Sequence, residues 1–364
     1  MPYFFYFLAA TLLSALFTPV VKKAAFRFQI LDIPNSPRKI QKHPTPLLGG
    51  VSVFLSFVLV TAGYLLLSRP DFNIVPFKFF LGIFGGGLVL LVGGILDDKY
   101  NLPPRALWLF PALASLCVVA SGIGVGITTL SNPFGGTLNI GQIIFGVRLS
   151  ALVMWLWMMG MIFTTKFLDG LDGLCSGIAL IGGLTLFALS LTEHINQPIT
   201  ASLAVIFTGA IAGFLLYNFH PASIFLGESG STFLGFGLGV LAIILGGKIA
   251  TALLIMGIPI LDVAWAIMRR LWYGQSPFKA DKSHLHHRLL DIGLSQRQAV
   301  LVLYGISAIF GFTAVFLQSM GKLIALGALF CVMVALALAL VMIYKRQHPH
   351  IPDLFDKVDE KAQK

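Results

Sequence analysis

The stretch FKFFLGIFGGGLVLLVGGILDDKYNLPP, residues 77–104, decides the fold of this chain. Its segment 79–96 contains no charged residue, and two adjacent carboxylates, Asp97 and Asp98, follow at once. An α-helix needs about 20 predominantly apolar residues to cross the hydrocarbon core of a bilayer. The stretch therefore predicts a transmembrane helix that delivers two acidic side chains to one membrane surface.

The composition extends this interpretation to the whole chain. Of the 364 residues, 57% are hydrophobic and only 11% are charged, and the mean hydropathy is +0.88. Soluble domains carry about 25% charged residues, so a soluble enzyme and a disordered protein are both excluded. The net charge of +10 does not indicate a nucleic-acid partner, because the basic residues are scattered over several loops and form no continuous basic stretch.

Apolar runs of spanning length recur along the chain and predict an all-α polytopic membrane protein with about eleven transmembrane helices. We expect a single transmembrane domain over residues 1–345 and a cytoplasmic C-terminal tail over 346–364. The loop at 122–148 contains several Gly, Asn and Pro residues, which favour turns and a short hairpin. The runs lie near residues 3–21, 46–67, 77–96, 105–121, 149–165, 174–192, 199–217, 230–247, 249–268, 298–318 and 323–344.

The distribution of the basic residues predicts the orientation. Eleven spans place the two termini on opposite sides, and 20 of the 25 Lys and Arg residues then fall on one side. Loops rich in Lys and Arg are typically cytoplasmic. We therefore expect the N-terminus outside, the C-terminus in the cytoplasm, and a multi-pass protein of the cytoplasmic (inner) membrane.

The ionisable residues next to the spans gather on the predicted cytoplasmic side. They are Asp97 and Asp98 after the third run, Asp169 and Asp172 after the fifth, Glu228 before the eighth, and His284, His286 and His287 in the longest loop. Such residues are costly near a membrane, so their positions indicate function. A lipid or solute transporter, the alternative class, would place them near the bilayer centre on broken helices. Among the carboxylates only Asp262 lies inside a run, where it either hydrogen-bonds a neighbouring helix or reaches the site from below.

These clusters favour phosphate chemistry with a divalent cation at the cytoplasmic face. Asp169 and Asp172 are three residues apart, which places them on one face of a helical turn. The segment LGESGS at 226–231 is typical of a loop that enters a helix whose free N–H groups bind phosphate. Mg²⁺ prefers oxygen ligands and substrate phosphates, so we expect Mg²⁺, with Mn²⁺ as its substitute. The histidines are too few for a zinc site and suit phosphate or sugar contacts better.

Five short motifs make the sequence resemble the polyprenyl-phosphate N-acetylhexosamine-1-phosphate transferases. They are DIPNSPRK…PLLGG within 32–50, GGILDDK…LP within 93–103, DGLDGL at 169–174, FLGESGS at 225–231 and DKSHLHHRLL at 281–290. Each motif is short, but their order and their shared predicted side make the set specific. The resemblance runs from Asp32 to Arg297 and includes the number of spans.

The resemblance implies a phosphotransferase of the membrane. In this family a polyprenyl phosphate lipid attacks the β-phosphorus of a UDP-amino sugar, which gives polyprenyl-diphospho-sugar and UMP with Mg²⁺ as cofactor. This is the first membrane step of cell-envelope glycans such as teichoic acid or lipopolysaccharide. The histidine loop resembles that of members that use UDP-GlcNAc. The alternative within the family is the phospho-MurNAc-pentapeptide transferase of peptidoglycan synthesis. Members often form homodimers through their spans, which we carry over as an expectation.

The same resemblance implies roles for individual residues. Asp97 and Asp98 would orient or deprotonate the lipid phosphate, and Asp169 would be a further catalytic residue. Substrate contacts would fall to Lys39 at a phosphate, Asp172 near the nucleotide, Asn218 at uracil, and His284, His286, His287 and Arg288 at the sugar-nucleotide. The metal would be held by Glu228 and Asp98, with Lys166 at a second position that contacts the metal in relatives.

The sequence departs from the family at two of these positions. Lys166 stands where the family has asparagine, and Glu228 stands where it has a metal-binding aspartate. An ammonium is favoured beside a carboxylate in a partly dry site. We therefore expect Lys166 and Glu228 to form an ion pair that partly substitutes for Mg²⁺ or shifts it toward Asp97 and Asp98. The alternative is a lineage-specific change of ligand with ordinary use of Mg²⁺.

Overall fold

The computed structural model of the protein describes residues 2–34, 41, 43–73, 75–131, 136–144, 147–246, 249–272, 274, 284–317 and 319–347. Within these ranges the chain forms thirteen helices and three antiparallel pairs of short strands. The helices are α1 (Pro2–Arg27), α2 (Gly49–Ser68), α3 (Phe77–Tyr100), α4 (Pro104–Ala120), α5 (Leu149–Leu168), α6 (Leu174–Ser190), α7 (Pro198–Asn218), α8 (Gly227–Ile244), α9 (Ile249–Ile255), α10 (Gly257–Trp272), α11 (Leu285–Asp291), α12 (Gln296–Phe316) and α13 (Ser319–Gln347). The strand pairs are β1 (Leu31–Asp32) with β2 (Thr45–Pro46), β3 (Thr129–Ser131) with β4 (Thr137–Asn139), and β5 (Ile143–Ile144) with β6 (Val147–Arg148).

The helices confirm a predominantly helical, multi-pass membrane protein. A helix or a pair of helices lies at each of the eleven predicted runs. In the described part of the chain eight helices are long and apolar enough to cross a membrane, namely α1, α2, α3, α5, α7, α8, α12 and α13. Helices α4 and α6 are apolar but have only 17 residues each. The count of eleven spans, the side of each terminus and the division at residue 345 therefore stay predictions.

The ninth predicted run is broken into two helices rather than forming one straight span. Helices α9 and α10 are bent by 81° at Met256, and counting the pair as one span brings the spanning candidates in the described residues to nine. Pro259 is the third residue of α10. Proline lacks an N–H and is tolerated in the first turn of a helix, where that N–H has no partner within the helix. The sequence therefore favours a new helix beginning here, and Asp262 lies just after this beginning.

The predicted loop at 122–148 contains the expected hairpin and a second one. Strands β3 and β4 pair with Leu130 opposite Leu138, and β5 pairs with β6 directly before α5. The hairpin prediction is thus confirmed for the described residues of this segment.

Helices α7 and α8 form the centre of the bundle. In an apolar segment of 18 residues from each helix, 83% of the residues of α7 and 89% of those of α8 are buried, far more than in α1 or α13. Helix α8 packs against α2, α3, α5 and α6, and α7 packs against α1, α2 and α6. Phe233 of α8 meets Phe54 and Phe207 edge-to-face in this core. Aromatic rings in this arrangement add about 0.5–1.5 kcal/mol per pair beyond their buried area.

Two glycines allow neighbouring helices to touch the beginning of α8 backbone to backbone. A Cβ atom on Gly94 of α3 would lie 2.2 Å from Cα of Ser229, and one on Gly50 of α2 would lie 2.3 Å from Cα of Gly230. The N–H of Gly50 also donates to the carbonyl of Leu226. This contact places the beginning of α8 beside the acidic end of α3.

We expect the variant Gly94→Ala to lower the thermal unfolding midpoint in detergent. The added methyl group meets backbone that cannot rotate away, and overpacking of this kind costs about 1–3 kcal/mol. The matched control is Gly85→Ala on the same helix, where an added Cβ meets no atom within 4 Å. An equal midpoint for the two variants, measured by differential scanning fluorimetry, would contradict the packing role of Gly94.

Candidate active site

A cavity of about 800 Å³ opens where α3 and α5 end and α8 begins. Six carboxylates line it, and Lys166 is the one Lys or Arg among the described residues of its wall. The six are Asp32, Asp97, Asp98, Asp169, Asp172 and Glu228. The structure thus brings together the three acidic clusters that the sequence analysis placed on one side. Carboxylates from three separate helix ends repel one another, so this wall needs cations or hydrogen-bond donors.

Asp97 and Asp98 fix the end of α3 in different ways. The carboxylate of Asp97 accepts a hydrogen bond from the N–H of Leu102 at 2.8 Å and so closes the chain after the helix. The carboxylate of Asp98 accepts from the N–H of Glu228, at 3.1 and 3.2 Å from its two oxygens. Asp98 therefore lies at the N-terminus of α8, where the free N–H groups and the helix dipole stabilise negative charge. The predicted phosphate-binding N–H of Glu228 already has a protein partner.

Lys166 and Glu228 form the ion pair that the sequence departures predict. Nζ of Lys166 lies 2.5 Å from Oε1 of Glu228, and the two side chains are 18% and 16% exposed. The pair joins the last turn of α5 to the first turn of α8. Because it is largely removed from water, its attraction is screened much less than that of a surface pair.

Asp169 has no such cation partner among the residues that the structure describes. It follows the last residue of α5, and no described residue donates a hydrogen bond to its carboxylate. Asp169 is an exposed residue of the cavity wall, and the neighbouring wall atoms displace part of the water around its carboxylate. Desolvation, followed by repulsion from Glu228 and Asp172, raises the pKa of Asp169 to about 7. This carboxyl group therefore changes charge near neutral pH unless a cation binds beside it.

Asp172 holds the loop that follows α7. Its Oδ2 lies 2.7 Å from Nδ1 of His220 and accepts a hydrogen bond from the N–H of Ala222 at 3.0 Å. Arg297 at the beginning of α12 donates from Nε to the carbonyl of His220 at 2.9 Å. His220 lines the cavity and was not among the site residues predicted from the sequence. Its signal was the segment NFHP at 218–221, a histidine between two predicted spans.

Asn218 is buried at the end of α7, with both ends of its amide bonded to protein. Its Oδ1 accepts from Oγ of Ser176 at 2.6 Å, and its Nδ2 donates to the carbonyl of Ile224 at 3.1 Å. Asn218 reaches the cavity wall but is 3% exposed. Its expected contact with uracil stays a prediction, and it would use the second N–H of Nδ2.

The histidine segment is anchored by Asp262, the carboxylate inside the broken run. Oδ2 of Asp262 lies 2.9 Å from Nδ1 of His284, and Oδ1 accepts from the N–H of Leu285 at 2.9 Å. Of the two sequence interpretations of Asp262, the hydrogen bond to a neighbouring helix is confirmed. Asp262 does not belong to the described wall of the cavity.

This anchor places His286 against the turn that carries Asp169. A Cβ atom on Gly170 would lie 2.3 Å from Nε2 of His286, so only glycine leaves room for the ring. The ring of His286 stacks parallel to that of His284, with centroids 5.7 Å apart. Burial, and then the neighbouring His287 and His284, hold the pKa of His286 well below its usual range. His286 is therefore neutral at pH 7, a hydrogen-bonding group rather than a cation.

Of the three remaining residues that were predicted to contact substrate, the structure describes two. His287 and Arg288 lie in α11 beside His286 and are half-buried. Lys39 lies outside the described residues. The substrate roles proposed for these three residues stay predictions.

The donor set of the cavity fits a magnesium ion that is bound mainly through substrate and water. Among the described residues, no three His, Cys, Asp or Glu side chains are grouped so as to hold a metal ion by themselves. Mg²⁺ usually takes one or two protein carboxylates and completes its shell with waters and phosphates. Asp98 and Asp169 both line the cavity and offer carboxylate oxygens of this kind.

Known proteins resemble this chain over most of its length. The family described as "Glycosyl transferase family 4" matches residues 80–246. A "Probable undecaprenyl-phosphate N-acetylglucosaminyl 1-phosphate transferase" of Bacillus subtilis is 32% identical over 86% of this chain and 84% of its own length. A "Decaprenyl-phosphate N-acetylglucosaminephosphotransferase" of Mycolicibacterium smegmatis is 32% identical over 93% of this chain and 88% of its own. An "Undecaprenyl-phosphate alpha-N-acetylglucosaminyl 1-phosphate transferase" of Thermotoga maritima is 29% identical over 82% and 86%.

We expect the variant Asp262→Ala to release the beginning of α11. The N–H of Leu285 and the ring of His284 lose their acceptor, which costs about 1–3 kcal/mol for each buried donor. Hydrogen–deuterium exchange of residues 284–291 should then accelerate strongly. Asp291→Ala, which removes an exposed carboxylate at the other end of α11, is the control. Unchanged exchange at Leu285 in the Asp262 variant would show that the anchor is unimportant.

Asp169 should make stability depend on pH in the absence of metal. Its folded pKa of about 7 lies above the ordinary carboxylate value of about 4. The folded protein therefore binds the proton more tightly than the unfolded chain, and stability is lost as the pH rises through 7.

The variant Asp169→Asn cannot ionise at this position, so it removes the loss of stability that occurs as the pH rises through 7. In EDTA it should stabilise the protein at pH 8, on the order of 1 kcal/mol after allowance for solvent screening, and less at pH 5. Thermal unfolding at both pH values measures the difference. The exposed Glu193→Gln variant should show none. An equal gain at pH 5 and pH 8 would contradict the raised pKa.

Proposed function

Since this chain belongs to glycosyl transferase family 4, we propose that it transfers N-acetylglucosamine-1-phosphate from UDP-GlcNAc to a membrane polyprenyl phosphate. It is an enzyme that transfers a sugar phosphate. An oxygen of the lipid phosphate forms a bond to the β-phosphorus of the donor, the bond from that phosphorus to the bridging oxygen breaks, and UMP leaves. The product is polyprenyl-diphospho-N-acetylglucosamine.

The cavity of six carboxylates, five of them at or next to helix ends, is the observation that carries this proposal. Its volume of about 800 Å³ suits a nucleotide-sugar, since ligand pockets usually measure about 300–1,000 Å³. The acidic groups are concentrated at the ends of predicted spans, where a lipid head group meets a soluble donor. A transporter is supported less well, because Asp262 of the broken helix is bonded to His284 and Leu285 rather than lining the cavity.

Asp98 and Asp169 would hold a Mg²⁺ ion in this cavity. Such an ion supplies charge that offsets the repulsion between two anionic substrates and stabilises the transferring phosphoryl group. Asp98 is already oriented by the N–H of Glu228, so its oxygens are positioned before substrate binds. Positioning carries most of the catalysis in phosphoryl transfer.

Asp169 is suited to take a proton from the lipid phosphate. A monoprotonated phosphate ester has a second pKa of about 6, and a base with a pKa near the working pH is the most effective. The pKa of Asp169, raised to about 7 in the metal-free cavity, meets this condition when the lipid phosphate arrives before the metal ion. Asp97 caps the end of α3 and so keeps Asp98 at the head of α8.

The donor would lie between two structured segments. Asp172, His220 and Asn218 shape the wall on the side of α7, which supports contact with the nucleotide. The α11 segment, with His284, His286, His287 and Arg288, supports contact with the sugar phosphate from beside Asp169. The cytoplasmic membrane as location, the role in cell-envelope glycan synthesis and the homodimer belong to this proposal as expectations.

The test is release of UMP by purified protein in detergent with polyprenyl phosphate. UDP-GlcNAc, UDP-GalNAc and UDP-MurNAc-pentapeptide are compared, each with Mg²⁺ and with EDTA. We expect UMP from UDP-GlcNAc only in the presence of Mg²⁺. UMP from the pentapeptide donor alone would favour the peptidoglycan enzyme, and no UMP from any donor would reject the transferase.

Asp169→Asn should lower the rate of UMP release by about 10²-fold or more, since loss of a general base usually costs about 10²–10⁴-fold. The control is Glu193→Gln, which changes an exposed carboxylate outside the cavity wall and should keep the full rate. If the Asp169 variant also kept the full rate, Asp169 would not be the base.

A further inference from the structure

The charges around the cavity are distributed unevenly between two groups of carboxylates. Asp98 is bonded to a backbone N–H, and Asp169 has no partner among the described residues, so neither carboxylate is paired with a cation in the described part of the cavity wall. Glu228 differs because it is neutralised by the ammonium of Lys166 at 2.5 Å. The cavity wall therefore contains one neutral pair beside two carboxylates, Asp98 and Asp169, that are not paired with a cation among the described residues.

The geometry of the pair opposes a divalent ion at Glu228. Both side chains are more than four-fifths buried, so their attraction is only weakly screened by water. A metal ion bound to Oε1 would either displace the ammonium or lie directly beside a positive charge. The backbone N–H of Glu228 is also occupied, by Asp98, which fixes the beginning of α8 from which the Glu228 side chain extends.

We propose that Lys166 is a resident cation of the site that withdraws Glu228 from the metal ligands and confines the divalent ion to Asp98 and Asp169. The proposal deepens the proposed function, on which its relevance to catalysis rests. The ammonium would then be a second positive charge next to the metal. Only one of its three N–H donors is engaged by Glu228, so the others can contact a phosphate oxygen of the donor.

The test is the number of water molecules on bound Mn²⁺, counted from ¹⁷O hyperfine couplings in electron paramagnetic resonance. Mn²⁺ stands in for Mg²⁺, and no substrate is present, so the result does not depend on the transferase reaction. Wild type is compared with Lys166→Met, with the charge-preserving Lys166→Arg and with the double variant Lys166→Met, Glu228→Gln. Circular dichroism and thermal unfolding check that each variant folds.

The proposal expects wild type and the double variant to hold Mn²⁺ with the same number of waters and with affinities within about threefold of each other. Lys166→Met frees Glu228 to coordinate, so the metal should lose one water and bind at least about tenfold more tightly. Lys166→Arg should match wild type.

One additional water on Mn²⁺ in the double variant would overturn the proposal, because it would mean that Glu228 coordinates the metal in the wild type. An unchanged water number in Lys166→Met would overturn it too, as would absence of bound Mn²⁺ in every variant. Should Lys166→Met fail to fold, the comparison of wild type with the double variant still decides. UMP release, measured separately, tells whether the transferase assignment itself holds.

Discussion

Partly buried carboxylates, each bonded to a backbone N–H, hold the site of this protein together. Asp98 ties the end of α3 to the head of α8, Asp172 ties the turn after α5 to the loop after α7, and Asp262 ties α10 to α11. In each case the carboxylate accepts a hydrogen bond from a backbone N–H of a segment distant in sequence. A carboxylate removed from water without such a partner would cost several kcal/mol. The shape of the cavity therefore depends on the same acidic groups that give it its chemistry.

Asp169 and Glu228 differ from these carboxylates because neither side chain accepts a hydrogen bond from a backbone N–H in the described part of the chain. Glu228 receives an ammonium and becomes neutral as a pair, whereas Asp169 receives no hydrogen bond from any described residue. Desolvation, followed by repulsion from Glu228 and Asp172, raises the pKa of Asp169 to about 7. A carboxyl group that has a raised pKa and no hydrogen-bond donor, among neighbours that do have donors, is typical of a functional residue. The contrast leaves Asp98 and Asp169 without a cation partner among the described residues and places a positive charge on the side of Lys166.

Much of this arrangement follows from local sequence patterns. Uninterrupted apolar runs predicted the positions of the helices, and the carboxylates at their ends were predicted to share one side, as Asp97, Asp98, Asp169, Asp172 and Glu228 do in the cavity wall. The ion pair of Lys166 with Glu228 also followed, since the two unusual residues compensate each other in charge. The 81° break at Met256 was missed, because hydrophobicity does not distinguish one apolar helix from two. His220 was missed because the segment NFHP at 218–221 is a weak signal by itself, and only the structure shows that Asp172 lies beside this histidine.

The sequence alone determined that the chain is a helical membrane protein, which residues end its helices with charge, and to which family its motifs are similar. These properties depend on hydrophobicity and on order along the chain, which are local. The tertiary structure decided which donor each carboxylate meets: the N–H of Glu228 for Asp98, the ring of His284 for Asp262, and no donor among the described residues for Asp169. Partners 22 to 130 residues apart are brought together only by helix packing, in which Gly94 and Gly50 let backbones touch. The charge state of the site therefore depends on this packing, because burial and the nearest donor set the free energy of each ionised group.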